Sequence, residues 1–244
     1  MRYAIIADIH SNLAAFQAVL DDIQSQKRID KIWCLGDIVG YGPDPHECIE
    51  LLRSTDNICI AGNHDRAVVG LLDINNFNPN AAEAVHWTEG KLSIGDITYL
   101  KNLPENIQED DFTLVHGSPR EPIMEYILSM SVARQNFDCF RTRYCLVGHT
   151  HVPQAYSLDK EDNCTATRFL PTVKLISGEI RLIVNPGAVG QPRDRNPEAS
   201  YAVYDNETGI IQLRRVSYDI RLTQDKIMKS GLPPRLATRL EMGE

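Results

Sequence analysis

The chain has 244 residues, 43 % of them hydrophobic and 24 % charged, with a formal net charge of −8. Such a length and composition are ample for a packed core and exclude a disordered or low-complexity chain. The acidic balance speaks against a nucleic-acid binder that relies on a basic surface, yet a small anionic substrate fits if bound cations reverse the local field.

In chain order, Tyr3–Ala7 reads as a buried strand, and Ser11 or Asn12 can cap the helix after it, where Leu13, Phe16, Val19, Leu20 and Ile23 recur at helical spacing. Lys31–Leu35 is the next strand, followed by the Gly/Pro-rich turn GDIVGYGPDP and a helix ending near Arg53. Asn57–Ile60 is a third strand. This β-α-β-α-β rhythm predicts a mostly parallel sheet with helices on its faces. Asn78 to Leu100 reads as helical with polar interruptions, and Phe112–Val115 and Tyr144–Val147 restore short strands. Beyond Pro153 come antiparallel strands at Ala155–Leu158, Ala166–Leu170, Val173–Ile176, Ile180–Val184, Ser200–Tyr204 and Ile210–Val216. Leu170-Pro171, Ser177-Gly178-Glu179 and Asn206-Glu207-Thr208-Gly209 supply the turns between them. Gln191–Pro197 is a polar loop, and the tail from Asp219 reads as a helix to Ser230, stopped by Gly231 and restarted after Pro233-Pro234. No repeat or linker splits the chain, so a single domain over 1–244 is expected, with 219–244 a helical tail.

None of the six cysteines forms a CxxC pair, and Cys34, Cys59 and Cys145 lie in apolar runs, which predicts reduced thiols in a cytoplasmic protein. The opening MRYAIIADIH is not read as a signal peptide, because Asp8 interrupts its apolar run. No segment reaches the roughly 20 apolar residues of a membrane span.

Five of the seven histidines fall in an ordered series: Asp8-Ile9-His10, Gly36-Asp37, Gly62-Asn63-His64-Asp65, His116-Gly117 and Gly148-His149-Thr150-His151. Asp8, Asp37, Asn63, His116 and His149 each follow a predicted strand closely, so all should converge on one sheet edge. In extended backbone, Asp8 with His10 and His149 with His151 would point to one side, each pair gripping one centre. Four histidines, two carboxylates and an amide are too many ligands for one ion. They suit two divalent cations, Mn²⁺ first, then Fe²⁺, Zn²⁺ or Ni²⁺, with Asp37 as the shared carboxylate.

The series DxH, GD, GNH(D/E), H, GHxH is similar to that of the calcineurin-like metallophosphoesterase superfamily. The wider phrasing (GDIVGYGPDP, AGNHDRAV, VHGSPR, VGHTHVP, VNPGAVGQPRD) resembles its small bacterial and archaeal phosphodiesterase-type members. The resemblance implies a four-layer α/β/β/α sandwich, with a parallel-rich N-terminal half and an antiparallel C-terminal half. It implies one metal held by Asp8, His10, Asp37 and His151 and a second by Asp37, Asn63, His116 and His149. Two ions roughly 3.5–4 Å apart acidify a bridging water, giving a hydroxide for in-line attack on phosphorus. His64 is the expected group at the leaving oxygen, with Asp65 fixing its tautomer.

One departure narrows the branch. Protein phosphatases and symmetrical dinucleotide hydrolases carry GDxxDRG, whose arginine binds phosphate, whereas this chain reads Gly36-Asp37-Ile38-Val39-Gly40-Tyr41. Arg66, Arg120 and Arg193 are the candidates to replace that charge, with Arg193 preferred beside Asn63 and His64 as a substrate contact; Arg195 could equally be a solvated loop residue. His46 and His86 read as structural, Asn12 as a helix cap, and Trp33 and Trp87 as core. The leading expectation is a hydrolase of phosphodiesters or small phosphorylated molecules, without membrane or nucleic-acid partners and with homo-oligomerisation left open. The alternatives are a phosphomonoesterase (a protein or nucleotide phosphatase) and a non-catalytic scaffold like the retromer subunit of this fold, against which the intact Asn63-His64-Asp65 speaks.

Overall fold

The computed structural model describes residues 1–26, 28–176 and 180–244, with Ile176 described in its backbone only. The turn expected at Ser177-Gly178-Glu179 lies outside the described residues. In chain order the elements are β1 (Arg2–Ile6), α1 (Leu13–Ser25), β2 (Lys31–Cys34), α2 (Pro45–Arg53), β3 (Asn57–Cys59), α3 (Asn63–Ala67), α4 (Pro79–Glu89) and α5 (Ile94–Asn102). Then follow β4 (Asn106–Glu109), β5 (Phe112–Val115), α6 (Met130–Phe137), β6 (Tyr144–Leu146), β7 (Gln154–Leu158), β8 (Cys164–Arg168) and β9 (Lys174–Ile176). The chain ends with β10 (Arg181–Asn185), β11 (Ala199–Asp205), β12 (Ile210–Val216), α7 (Ile220–Ser230) and α8 (Pro234–Met242).

The strands form two six-stranded sheets, ordered β3-β2-β1-β11-β12-β9 and β4-β5-β6-β10-β7-β8. Alternation along β1 shows how they stack, since successive side chains leave a strand on opposite faces. Ala4 and Ile6 pack with Phe16, Val19, Ile49 and Leu52 under α1 and α2. Tyr3 and Ile5 pack with Trp33, Phe112, Leu114, Tyr144 and Val184 between the sheets. The outer face of the second sheet, with Val115, Cys145 and Ile183, is covered by Ala133 and Phe137 of α6. The result is the expected α/β/β/α sandwich, and each fully buried Ile or Leu contributes about 2 kcal/mol of hydrophobic stabilisation.

Parallel and antiparallel pairings do not separate into two layers. β1, β2 and β3 are parallel, and so are β5, β6 and β10, but β11 joins β1 antiparallel, with Ala4 opposite Val203. Each sheet therefore has a parallel part flanked by antiparallel strands, β4 on one side of the second sheet included. Three elements were not anticipated, the first being α3, a five-residue helix at Asn63–Ala67. β4 is a charged, half-exposed strand of four residues, and α6 is an eight-residue helix capped by Ser129. The helical stretch from Asn78 divides into α4, capped by Asn78, and α5, capped by Ser93.

The tail follows the expected pattern: Asp219 caps α7, and Gly231 stops it in the left-handed conformation, φ 80°. It packs behind the N-terminal half, with Thr223 Oγ1 donating to Asn12 Oδ1 at 2.9 Å and Lys226 paired with Asp44 at 2.9 Å. Among the described residues no helix is long and apolar enough to cross a membrane.

Candidate metal centre

Asp8, Asp37, Asn63, His116 and His149 lie just beyond the carboxyl ends of β1, β2, β3, β5 and β6. They therefore gather on the edge shared by both sheets, rather than on the edge of one. The backbone there is not extended. Asp8, His10, Asp37, His149 and His151 all have left-handed φ values of 56°, 48°, 54°, 67° and 59°. Each such residue costs about 1 kcal/mol or more, strain that surrounding structure must hold in place. The expectation that i, i+2 pairs grip one centre through extended backbone is corrected accordingly. Asp8 and His10 do share a cluster, but His149 and His151 are divided between two.

The two clusters are Asp8, His10, Asp37 and His151, and Asp37, His116 and His149. Asp37 joins them through one atom: its Oδ2 lies 3.6 Å from His10 Nε2 and 3.3 Å from His116 Nε2. Asp37 Oδ1 is occupied instead by the backbone N–H of His64, at 2.8 Å. Asn63 Oδ1 lies 3.1 Å from His116 Nε2, adding a neutral oxygen to the second cluster. Asp8 Oδ1 is 3.3 Å from His151 Nε2.

Tautomers test whether cations fit. Nδ1 of His10, His151 and His116 donates to the carbonyls of Val39, Gln191 and Leu35, at 3.0, 2.7 and 2.8 Å. The Nε2 atoms of His10 and His151 are left as bare lone pairs directed into the centre, while that of His116 faces Asp37 Oδ2. His149 is turned the other way: Nε2 meets the Met124 carbonyl at 3.2 Å, freeing Nδ1. Burial pushes the pKa of His10 and His151 below the ordinary value, so both rings are neutral. Burial opposes protonation of His116 as well, but the carboxylates of Asp37 and Asp8 outweigh it and hold its pKa up at about 10. The centre thus attracts positive charge, and its donors are those of a two-ion site.

Asp65 plays a different part from the one expected. Its carboxylate accepts the backbone N–H groups of Asp37 (2.8 Å), Ile38 (2.9 Å), Val39 (3.2 Å) and Gly62 (3.0 Å), and no hydrogen bond to the His64 ring is among them. Asp65 therefore ties the Asp37 loop to the Asn63 loop and does not fix the tautomer of His64. Gly62 lies in the same crowded place, where a Cβ would come 2.1 Å from Asp37 Oδ1.

The His64 ring packs edge-on to His10 (5.0 Å between centroids) and against Tyr41 (4.4 Å) and Phe77 (5.2 Å). Its Nδ1 is buried with no hydrogen-bond partner, and burial pushes its pKa down to about 4. His64 lines a cavity of about 280 Å³ beside the centre, together with Asp37, Asn63, His149 and His151.

Of the candidate arginines, Arg193 alone lines that cavity. Its guanidinium lies 5.7 Å from the centroid of Tyr41 and donates to Gln191 Oε1 at 2.9 Å. Arg66 is spent on the Leu103 carbonyl at 2.7 Å, Arg120 pairs with Glu125, and Arg195 is exposed. Asn12 caps α1 through Ala15 and donates to the Gly190 carbonyl, so it is structural. Sequence reasoning missed Tyr126, Met124, Asn76 and Phe77, which complete the cavity wall from two irregular loops. Tyr126 stacks on His149 with centroids 3.8 Å apart. No periodicity or motif marks these residues; an aromatic in each of two polar loops was the only signal.

The calcineurin-like phosphoesterase superfamily domain matches residues 1–209. An uncharacterised protein of Methanocaldococcus jannaschii is 39 % identical, the match covering 98 % of this chain and 97 % of that one. The crystal structure of a metallophosphoesterase from Sphaerobacter thermophilus is 45 % identical, covers 100 % of this chain and 99 % of its own, and superposes with a TM-score of 0.89. A symmetrical bis(5'-nucleosyl)-tetraphosphatase of Erwinia tasmaniensis is 36 % identical over 63 residues, 25 % of this chain and 23 % of that protein. With its two His/Asp clusters joined at one carboxylate, the chain belongs to the calcineurin-like phosphoesterase superfamily and is a phosphoesterase with a binuclear metal site.

Proposed function

We propose that the enzyme hydrolyses phosphodiesters of small molecules, with Mn²⁺ as the preferred ion. The observation that carries the diester reading is the make-up of the cavity. Among the described residues Arg193 is the one cationic side chain in its lining, while Tyr41, Phe77, Met124 and Tyr126 supply apolar wall. A diester carries one negative charge and a second ester arm, which such a wall can cover. A monoester lacks that second arm and would leave the apolar wall uncovered.

Asp8, His10, Asp37 and His151 would hold one ion, and Asp37, Asn63, His116 and His149 the other. When bound, the pair would supply Lewis-acid charge for phosphoryl oxygens and a nucleophilic water at neutral pH. Arg193 would bind a phosphoryl oxygen. In this chain Tyr41 stands where the GDxxDRG motif has its arginine, and Arg193 reaches the same neighbourhood from the loop after Gly190, over the Tyr41 ring. His64, in the cavity wall, would hydrogen-bond to the leaving oxygen and stabilise its charge. Asp65 acts one step back, holding the loops that carry Asp37 and Asn63.

Residues 1–244 act as one unit in this reading, because α7 and α8 pack directly behind the site loops. A cytoplasmic location is supported by the described cysteines, all of which are free thiols. The net charge of −8 supports a small substrate over a nucleic acid. The test compares bis-p-nitrophenyl phosphate with p-nitrophenyl phosphate in Mn²⁺, Ni²⁺, Zn²⁺ and Mg²⁺. Higher kcat/KM for the diester, greatest in Mn²⁺, is expected. Preference for the monoester overturns the reading.

A further inference from the structure

We infer that the cavity beside the metal centre is a subsite for a planar aromatic group on the substrate, with Tyr126 and Phe77 as its specificity-determining residues. The inference rests on the diesterase reading and names the ester arm that the cavity takes. Two aromatic rings line the cavity, each against a different histidine of the site. Tyr126 lies flat on His149, with 22° between the rings, and Phe77 leans on His64 at 5.2 Å. Both are anchored on residues of the site itself, so a group stacked on them is held at a fixed distance from the scissile phosphorus.

Tyr126 belongs to no core cluster, and Phe77, although it packs against the core, still lines the cavity. Tyr126 is 43 % exposed although one face is covered by His149, and Phe77 is half-buried. An exposed tyrosine in a monomer costs hydrophobic energy that a stacked ligand recovers, and tyrosine gives large contact area at low entropic cost. The loop that carries Phe77 also brings polar side chains to the cavity wall. Asn78 Oδ1 accepts from Ala81 N–H at 3.0 Å to cap α4, and the neighbouring, exposed Asn76 amide makes no hydrogen bond among the described residues. An amide beside two aromatic faces matches a flat group with donors and acceptors on its rim, such as a nucleobase; a plain aryl ring would use the faces alone. The volume, about 280 Å³, suits one such group and leaves little room for a second.

Three p-nitrophenyl diesters with one leaving group and different retained arms test this: thymidine 5'-phosphate, phenyl phosphate and hexyl phosphate. Stacking contributes about tenfold or more per ring, so both aromatic arms should exceed hexyl by that factor in kcat/KM. The thymidine arm should gain further over phenyl if Asn76 reads the rim. The aromatic-to-hexyl ratio should fall about tenfold in Tyr126→Leu and in Phe77→Leu, and return in Tyr126→Phe. Ratios cancel any loss of metal or overall rate in the variants. A hexyl arm that equals or exceeds the aromatic arms, or a ratio untouched in both Leu variants, overturns the subsite. If no diester is turned over but p-nitrophenyl phosphate is, the diesterase reading has failed by itself. Competition of phenylphosphonate against hexylphosphonate for monoester hydrolysis then reads the same preference, and equal inhibition overturns the subsite.

Discussion

His10 and His151 bring their Nε2 atoms to 3.0 Å of one another. Each ring has its Nδ1 proton committed to a backbone carbonyl, so two lone pairs face each other in a buried, neutral pair. No hydrogen bond can form between two acceptors, and the repulsion is removed only by a positive charge. The protein is therefore most stable with cations bound. At 100 times its dissociation constant an ion stabilises by about 2.7 kcal/mol, which for a chain of this size raises Tm by roughly 5–10 °C. Differential scanning fluorimetry after chelation and after Mn²⁺ readdition measures it. An unchanged Tm would contradict this reading of the pair.

Asp65 and His64 are adjacent in sequence but should fail differently. Asp65→Asn leaves at least one buried N–H of the Asp37 loop without an acceptor, each costing about 1–3 kcal/mol. Its Tm should drop by several degrees together with its metal affinity. His64→Asn should retain both ions and lose turnover by roughly 10²-fold. Metal analysis beside steady-state kinetics separates the two; wild-type turnover in His64→Asn would remove His64 from the reaction.

Gly62→Ala tests the packing around the bridging carboxylate. The new Cβ would meet Asp37 Oδ1 at 2.1 Å and Asp37 N at 2.5 Å, neither of which has slack. Overpacking of this kind costs about 1–3 kcal/mol, and the displaced bridge should weaken both ions. Titration with Mn²⁺ should show affinity lowered at least 10-fold, within the range seen when groups supporting a ligand are lost. Wild-type affinity would place the strain elsewhere.

His46 and Asp96 give a pH dependence away from the site. Their side chains meet at 2.9 Å, and that hydrogen bond raises the pKa of His46 above 6.5. Asp96 is lowered, because its bonds to Ser93 and His46 outweigh burial. The stabilisation from the histidine is fully present below about pH 6.5 and fades as pH rises through its raised pKa. That from the aspartate is present above about pH 4 and fades in more acid solution. Wild type should therefore exceed His46→Asn in Tm most near pH 5.5 and least near pH 9. A gap independent of pH would contradict the pairing.

Much of the centre was legible because strand ends are legible. Asp8, Asp37, His116 and His149 each follow an apolar run, and a parallel strand delivers whatever follows it to the same edge. Which residues share an ion was not legible from spacing, because spacing assumes extended backbone and the ligands are left-handed. Adjacent turns so tight send His149 and His151 to different clusters. The pairing of β1 with β11 depends on residues nearly 200 apart and leaves no local trace. β4 was missed because Asn106, Gln108 and Glu109 carry no apolar face, and Tyr126 because a loop aromatic has no period.

The most direct test of the binuclear centre counts divalent ions per chain in Mn²⁺-loaded protein, alongside hydrolysis of bis-p-nitrophenyl phosphate, in wild type and Asp37→Asn. Two ions with full activity are predicted for wild type, and loss of both the ions and the activity when the bridge is neutralised. A fully active wild type with fewer than two ions, or an Asp37→Asn variant that keeps two ions and its activity, would contradict it.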